Sequence, residues 1–378
     1  MGKGPASEQA GDLSIHFCTN RNPTGPAKAP TGFGEGFGPQ GPKELRYGSA
    51  SFTGFAAGIP ALDRPTRVSL AVYREELADP DHLALGSTAL LSSIEDRLLD
   101  KAGNARADIL VYVHGYQTSF DEALAVTAQV AHNIAVQAAI ADDARLLPLV
   151  PIAFTWPSDG ALTAKAYWSD AGDAAMSGVG LHRFLARFSA FVADRARAAA
   201  LRHAKAKRPG PPPRPVRIHL VVQSLGHQVL AAALAAMRPG YVQAGSQAGW
   251  LLDTVLSTGA DIEKNAFAKG GALRPLLALA RHVVVYSSET DGALKASEAV
   301  RFAGLRLGRA GPDDPLPGPA LSTVDVGAVI TGEGDMAGHF YGRLSPLVQR
   351  DMVRVMAGSA PEAIANRRPI GLRRYRLA

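Results

Sequence analysis

The sequence predicts an α/β fold with a doubly wound, mainly parallel sheet. Three observations support this prediction. Short runs rich in valine, isoleucine and leucine recur along the chain, and segments of helical composition separate them. The chain has 378 residues, 47% hydrophobic and 20% charged, which is enough to bury a large core. Regular alternation of strand and helix is typical of parallel sheets with helices on both faces.

Eight segments are expected to be strands. Two of them, residues 13–18 (LSIHFC) and 66–73 (TRVSLAVY), are expected on the outside of the sheet. The other six are near-continuous apolar runs, which suit strands buried on both faces. These are residues 107–115, 149–156, 216–224, 251–259, 281–288 and 321–330. Helix-forming composition with spaced apolar faces predicts helices over 119–140, 178–204 and 226–237.

The same strand series continues through the chain, so we expect one domain. It covers residues 13–360 and includes a lid-like insertion near residues 158–180. A disordered N-terminus over residues 1–12 and a basic C-terminal tail over residues 361–378 are expected to flank it.

Composition argues against several classes of partner. The net charge is +6, but the cations cluster only at residues 202–215 and 367–376, and a nucleic-acid face needs clustered cations with aromatic or polar readers. Cys18 is the single cysteine, so no internal disulfide can form. No uninterrupted apolar run reaches the ~18 residues of a membrane helix, and the first residues lack the apolar core of a signal peptide. We therefore expect a cytoplasmic protein with no nucleic-acid partner and no stable membrane insertion.

Ser224 lies between an apolar strand and a helix, in VVQSLGHQVLAAAL. At such a turn a serine nucleophile is exposed above the sheet, and the residues two positions away are usually small. Gly226 fits this pattern and Val222 departs from it. The alternative is that Ser224 is a helix N-cap. The two interpretations predict different backbones, because a nucleophile at this turn has a positive φ and an N-cap has extended angles.

A serine nucleophile also needs two donors for an oxyanion, and the first should come from the turn itself. VYVHGYQTSF (111–120) ends an earlier buried strand, so the Tyr116 amide can pair with the Leu225 amide. His114 and Gly115 are then candidates for substrate contact. The alternative is that Gly115 only permits a sharp turn and His114 only satisfies buried carbonyls.

The motifs also resemble a known family in their order along the chain. They read ILVYVHGYQTSFDEAL, AFTWPSDG, AYWSDAGDAAMSGVGLHRFL, HLVVQSLGHQVLAAAL, VLSTGADIEKNAF, VVVYSSETDGALKASEAV and GHFYGRLSPLVQRDM. With IHFCTNRNP and LRYGSASF near the start, they resemble the uncharacterised α/β-hydrolase family DUF900 over most of residues 13–357. The resemblance implies a sheet of the α/β-hydrolase type. In that family the serine commonly follows a histidine, in A-H-S-M-G, where this chain has Val222 and Gln223.

The α/β-hydrolase order is serine, acid, histidine, so the base must follow Ser224. His227 lies on the helix just beyond the serine and is expected to line the pocket. His282 opens a strand and should lie at the opposite edge of the sheet. His339, in the glycine-rich segment TGEGDMAGHFYGRL, can reach the serine from a loop after the last strand. His339 is therefore the predicted base.

Two aspartates follow buried strands and could orient the base. Asp291 lies after the strand that precedes the histidine, which is the usual position of the acid, and the resemblance favours the same residue. Asp261 is then interpreted as the N-cap of a short helix. Asp291 could also be an N-cap, for the segment GALKASEAV.

The remaining candidates concern the pocket. Trp156 is expected in its wall or in packing, and Tyr167 in the lid-like segment is expected near the substrate. The spacing of histidine and cysteine fits no metal site, and no glycine-rich phosphate loop follows a strand, so neither a metal nor a cofactor is predicted.

The predicted function is that of a serine hydrolase that cleaves a small-molecule carboxylic ester, or less favourably an amide, through an acyl-enzyme. The alternative is a hydrolase-fold protein that binds a lipid-like or peptide ligand, or a partner protein, without turnover. Val222 is the residue that supports this alternative.

Overall fold

The structure is a computed structural model. It describes residues 12–26, 29–75, 85–141, 145–158, 163–207, 210–237, 251–301, 304–330 and 337–378. The expected disordered N-terminus falls, except for Asp12, outside the described residues.

A large sheet forms the centre of the fold. Its six middle strands are β6 (Asp108–Val113), β7 (Leu149–Thr155), β8 (Ile218–Gln223), β9 (Leu252–Thr258), β10 (Ala280–Ser287) and β11 (Leu321–Asp325). One side is extended by β1 (Leu13–Thr19), β4 (Arg46–Thr53) and β5 (Thr66–Val72), and the other by β12 (Arg367–Gly371) and β13 (Arg374–Leu377). A separate pair consists of β2 (Arg21–Thr24) and β3 (Gly32–Phe37).

The strand order in the large sheet is β12-β13-β11-β10-β9-β8-β6-β7-β1-β4-β5. Every pairing from β13 to β1 in this order is parallel, and only β1–β4, β4–β5 and β12–β13 are antiparallel. The predicted mainly parallel sheet is therefore confirmed. Because parallel strands end at the same edge, the loops after β6, β8, β9 and β10 meet there.

Helices cover both faces of the sheet. They are α1 (Gly86–Leu98), α2 (Phe120–Ala141), α3 (Ala164–Lys205), α4 (Gly226–Ala236), α5 (Leu276–Leu279), α6 (Gly292–Arg301), α7 (Leu307–Ala310), α8 (Tyr341–Leu344) and α9 (Pro346–Met356). The core on one face joins the sheet to α1, α3 and α4, and the core on the other joins it to α2 and α9. Two core layers around one sheet confirm the doubly wound arrangement.

Helix α3 starts earlier than the sequence indicated. The Thr163 side chain accepts a hydrogen bond from the Ala166 amide (3.1 Å), and the helix runs on without interruption to Lys205. From Ala164 onward, the segment expected as a lid-like insertion is therefore the first half of this helix. No proline interrupts residues 164–205, and alanine-rich composition favours one continuous helix.

Residues 361–378 do not form a basic tail. Strands β12 and β13 form a hairpin whose second strand pairs in parallel with β11, so the segment closes one side of the sheet. Its arginines meet carboxylates that are remote in sequence: Arg367 contacts Asp351 and Arg376 contacts Asp325. Pairing with acidic partners and with a strand edge lets a charged segment join the sheet.

Helix α2 has the length and mean hydropathy of a membrane span, although polar residues interrupt its apolar sequence. Of its most apolar 18 residues, 72% are buried inside the protein, where the helix packs against β1, β7 and α9. Such burial is typical of a core helix of a globular domain.

Candidate active site

Ser224 lies in a two-residue turn between the last residue of β8, Gln223, and the first residue of α4, Gly226. Its φ is 51°, in the left-handed region that L-residues rarely adopt. The residue in the N-cap position of α4 is Leu225, and its side chain makes no capping hydrogen bond. The prediction of a positive φ is confirmed, and the N-cap interpretation of Ser224 is wrong.

Several hydrogen bonds hold this turn. The Ser224 amide donates to the carbonyl of Thr258 on the neighbouring strand (3.0 Å). The Ser224 carbonyl accepts from the amides of His227 (3.1 Å) and Asp261 (3.2 Å). A strained backbone conformation persists only where the surrounding structure holds it in place. Here the hydrogen bonds to β9, α4 and the loop after β9 hold Ser224 in its left-handed conformation.

Gly226 and Val222, the residues two positions from Ser224, are accommodated at the turn in different ways. A Cβ atom on Gly226 would lie 2.6 Å from the His114 carbonyl oxygen, so the close approach of α4 to β6 requires glycine. Val222 is fully buried in the core between its strand partners Val113 and Ser257. Its side chain therefore packs within the sheet layer, and the turn keeps its left-handed backbone in the presence of this larger residue.

Gly115 brings the loop after β6 against the serine. A Cβ atom on Gly115 would lie 2.7 Å from Ser224 Cβ and 3.4 Å from Ser224 Oγ. The left-handed residue of this loop is Gln117 (φ 54°), so Gly115 is needed for close approach and not for a left-handed turn. Tyr116 and Leu225, the predicted oxyanion donors, are the residues that follow Gly115 and Ser224, and this contact brings the two loops together.

His339 and Asp291 form a buried pair. His339 Nδ1 lies 2.7 Å from Asp291 Oδ2. The other oxygen, Oδ1, accepts from the Leu294 amide (3.0 Å) in the first turn of α6. Asp291 therefore makes the N-cap contact with one oxygen and contacts the predicted base with the other.

Two residues that sequence reasoning missed fix the position of His339. Gln223 donates from Nε2 to the His339 carbonyl (3.2 Å) and accepts at Oε1 from the Thr258 hydroxyl (2.7 Å). Gly259, which follows β9, lies under the imidazole: its Cβ would be 2.7 Å from His339 Cε1. The sequence signals were a polar residue beside the serine and a glycine at a strand end.

Asp261 does not cap a helix, so that interpretation is wrong. Its Oδ2 accepts from the Tyr167 hydroxyl (2.6 Å), and its Oδ1 accepts from the Ser297 hydroxyl (2.7 Å) and lies 3.4 Å from Arg306 Nε. Burial, then the Asp261 carboxylate, raise the pKa of Tyr167, which keeps the phenol a donor. These contacts occupy the Asp261 carboxylate, while Asp291 contacts His339.

Two of the predicted substrate-binding residues are packed together in the interior. His114 and Trp156 stack with ring centroids 4.9 Å apart, and the Trp156 indole donates to the His114 carbonyl (3.0 Å). His114 Nε2 accepts from the Trp156 amide (3.1 Å), so its Nδ1 donates to the Gly115 carbonyl (2.8 Å). Burial, then the Arg21 charge, lower the pKa of His114 to about 3. The structural interpretation of both residues is the correct one.

His227 and Tyr167 are buried as well. His227 does not line a pocket: its ring lies beneath the turn, between the Ser224 carbonyl and the Ser257 hydroxyl. The Tyr167 ring meets the Tyr116 ring edge-on at 5.4 Å, so it lies beside the loop that contacts Ser224. Within the described parts of the chain, no group of three or more histidine, cysteine, aspartate or glutamate side chains could hold a metal ion.

A family model described as an alpha/beta hydrolase of unknown function (DUF900) matches residues 91–317, which include Ser224 and Asp291. No curated protein and no solved structure shows a significant match. The family match covers more than half of the chain, and the parallel sheet with helices on both faces agrees with it. The chain therefore belongs to the DUF900 family of α/β-hydrolases.

Proposed function

We propose that this α/β-hydrolase is a serine hydrolase that cleaves a carboxylic ester through an acyl-enzyme. The observation that supports it most is the pairing of a left-handed Ser224 with a buried His339–Asp291 contact of 2.7 Å at the same sheet edge. A serine nucleophile needs a base, and the base needs a third group that fixes its tautomer.

The tautomer follows from the contacts. A carboxylate only accepts hydrogen bonds, so His339 carries a proton on Nδ1 toward Asp291, and its unprotonated nitrogen, Nε2, is the base. Asp291 is itself fixed by the Leu294 amide, so the imidazole has a stationary partner.

The reaction then has two halves. Ser224 Oγ attacks the ester carbonyl carbon while His339 Nε2 takes its proton, and the amides of Tyr116 and Leu225 stabilise the oxyanion. When the carbon–oxygen bond breaks, His339 returns the proton to the departing alkoxide, and the acyl group stays on Ser224. Water then attacks the acyl-enzyme by the same route, which releases the acid and restores the serine.

A fluorophosphonate probe and a panel of p-nitrophenyl esters from acetate to palmitate test the proposal. We expect wild type to be labelled and to hydrolyse at least one ester, and Ser224→Ala to lose both properties. Ser322→Ala, at a buried serine in β11 outside the site, is the matched control and should behave as wild type. A p-nitroanilide of the preferred acid measures the amide activity.

A folded wild type that neither labels nor hydrolyses any ester would contradict the proposal. Such a result would favour the alternative of a hydrolase-fold protein that binds its ligand without turnover.

A further inference from the structure

We propose that His227 is a positioning residue that orients the Leu225 amide, one of the two donors of the proposed oxyanion hole. The inference rests on the proposed function and adds a residue outside the triad. It starts from the Ser224 carbonyl, which accepts three hydrogen bonds: from the His227 amide (3.1 Å), from His227 Nδ1 (2.8 Å) and from the Asp261 amide (3.2 Å). A carbonyl oxygen has two lone pairs, so three donors fully satisfy its capacity to accept hydrogen bonds.

The Ser224 carbonyl and the Leu225 N–H belong to the same peptide unit. That unit is planar and trans, so the two groups point in opposite directions. Donors that fix the carbonyl therefore also fix the direction in which the Leu225 N–H points, which is away from these three donors. A donor stabilises a developing oxyanion only when it is aimed there before the reaction, so this orientation bears on catalysis.

The contacts also settle which nitrogen of His227 carries the proton. A carbonyl cannot donate, so Nδ1 must be the donor to Ser224. Nε2 is then free to accept from the Ser257 hydroxyl, which lies 2.6 Å away. The result is a directed chain from Ser257 through the imidazole to the Ser224 carbonyl. Such chains polarise their members, and a polarised Ser224 carbonyl makes the Leu225 N–H a stronger donor.

His227 stays neutral in this position, and the hydrogen bonds from Ser257 through the imidazole to the Ser224 carbonyl require a neutral ring. Burial is the main cause that lowers the pKa of His227 to about 4. The ring is buried and both nitrogens are occupied, so it has no group left for the substrate. The third donor, the Asp261 amide, is held in place because the Asp261 side chain is anchored by Tyr167 and Ser297.

The test compares two substitutions at position 227. The side-chain amide of His227→Asn can occupy the place of Nδ1 and donate to the Ser224 carbonyl, whereas His227→Leu has a similar size and no donor. Loss of a whole oxyanion donor lowers kcat by about 10²–10³-fold. For a donor that is only misaligned we expect His227→Leu to lower kcat ~10–100-fold, with KM little changed, and His227→Asn to recover most of that loss.

A boronic acid that mimics the tetrahedral intermediate supplies a second measurement. Its affinity should fall in His227→Leu by the same factor as kcat/KM, because both depend on the oxyanion donors. The matched control is His219→Leu, which removes a buried histidine that lies on β8 and is hydrogen-bonded to Thr254. It should lower stability without lowering kcat or boronate affinity.

Equal losses in His227→Leu and His227→Asn, a loss confined to KM, or an equal loss in His219→Leu would each overturn the inference while the serine mechanism stands. A wild type that neither labels with the fluorophosphonate nor hydrolyses esters would overturn the proposed function, and this inference with it.

Discussion

At the scale of single residues, Asp291 serves two elements at once. One carboxylate oxygen contacts His339 and the other caps α6 through the Leu294 amide. A substitution can separate these roles, because an amide side chain keeps one oxygen as an acceptor and replaces the other by a donor. Asp261 offers the contrast, since its carboxylate serves only a buried network.

Asp291→Asn should therefore keep the fold and lose activity. The asparagine oxygen can still accept from Leu294, but its NH₂ group facing His339 Nδ1 favours the wrong imidazole tautomer. We expect kcat to fall by ~10³–10⁴ with little change in the free energy of unfolding. Asp261→Asn should show the reverse pattern, a loss of about 1–3 kcal/mol in the free energy of unfolding because buried Arg306 loses a partner, with a much smaller fall in kcat. Steady-state kinetics and urea unfolding on both variants check this, and reversed results would assign the acid to Asp261.

Gly259 tests how closely the base is packed. Its φ is 51°, and an added Cβ would lie 2.7 Å from His339 Cε1, so Gly259→Ala should strain the backbone and displace the imidazole. Gly270→Ala is the control, because Gly270 also has a positive φ (79°) but open space around it. Both should lose about 1–2 kcal/mol of stability from left-handed strain, and only Gly259→Ala should lose a large part of kcat. Similar kcat values for the two would mean that the packing of Gly259 on His339 is not needed.

At the scale of elements, the C-terminal hairpin shows how a charged segment becomes part of the sheet. Arg367 donates from Nε (2.7 Å) and Nη2 (2.8 Å) to the two oxygens of Asp351 on α9, and the Tyr286 hydroxyl of β10 donates to the same carboxylate (2.7 Å). Arg376 pairs with Asp325 but is half exposed. The first contact therefore ties the hairpin to the helix layer, and the second lies in solvent.

The two arginines should accordingly differ in their effect on stability. Arg367→Met leaves the Asp351 carboxylate buried without its cation, and such a change costs about 3–5 kcal/mol. Arg376→Met removes an ion pair screened by solvent and should cost less than about 1 kcal/mol. Guanidinium unfolding at neutral pH measures both, and equal losses would contradict the view that the Arg367 pair holds the hairpin.

Much of the fold followed from the sequence, and the limits have physical causes. The six central strands were predicted because strands buried on both faces need uninterrupted apolar runs. The hairpin was missed because its arginines look like a solvated tail until their acidic partners, at Asp351 and Asp325, are known. Chain order identified the candidate residues Ser224, Asp291 and His339, whereas contacts between remote segments, such as Gln223 with His339, depend on strand order.

At the scale of the whole molecule, the parallel sheet brings side chains from distant segments together at one edge, and the polar residues that hold them in position are buried. Three histidines are among the buried groups: His16 on β1, His114 after β6 and His227 on α4. Burial is the first cause that lowers the pKa of His16 and His114 to about 3 and that of His227 to about 4. All three are neutral in the folded protein at neutral pH, so they link its stability to pH.

The sign of this link follows from the two states. The unfolded chain takes up a proton on each histidine near pH 6.5, and the folded chain does so only near pH 3–4. This contribution to stability is therefore present above pH 6.5 and is lost as the pH decreases from 6.5 to about 3, the folded-state pKa of His16 and His114. Between pH 7.5 and 5.5 each histidine should remove ~1.4 kcal/mol, and the three together ~4 kcal/mol.

His16 allows a direct test of this pH dependence, because neither of its ring nitrogens has a hydrogen-bond partner among the described residues. In His16→Leu the apolar side chain fills a similar volume and cannot be protonated, so the protein should be at least as stable as wild type at pH 7.5. Its loss between pH 7.5 and 5.5 should be smaller than that of wild type by ~1.4 kcal/mol. Urea unfolding at the two pH values measures the difference. The same loss in both proteins would mean that His16 takes up its proton in the folded state, and that the acid lability arises elsewhere in the chain.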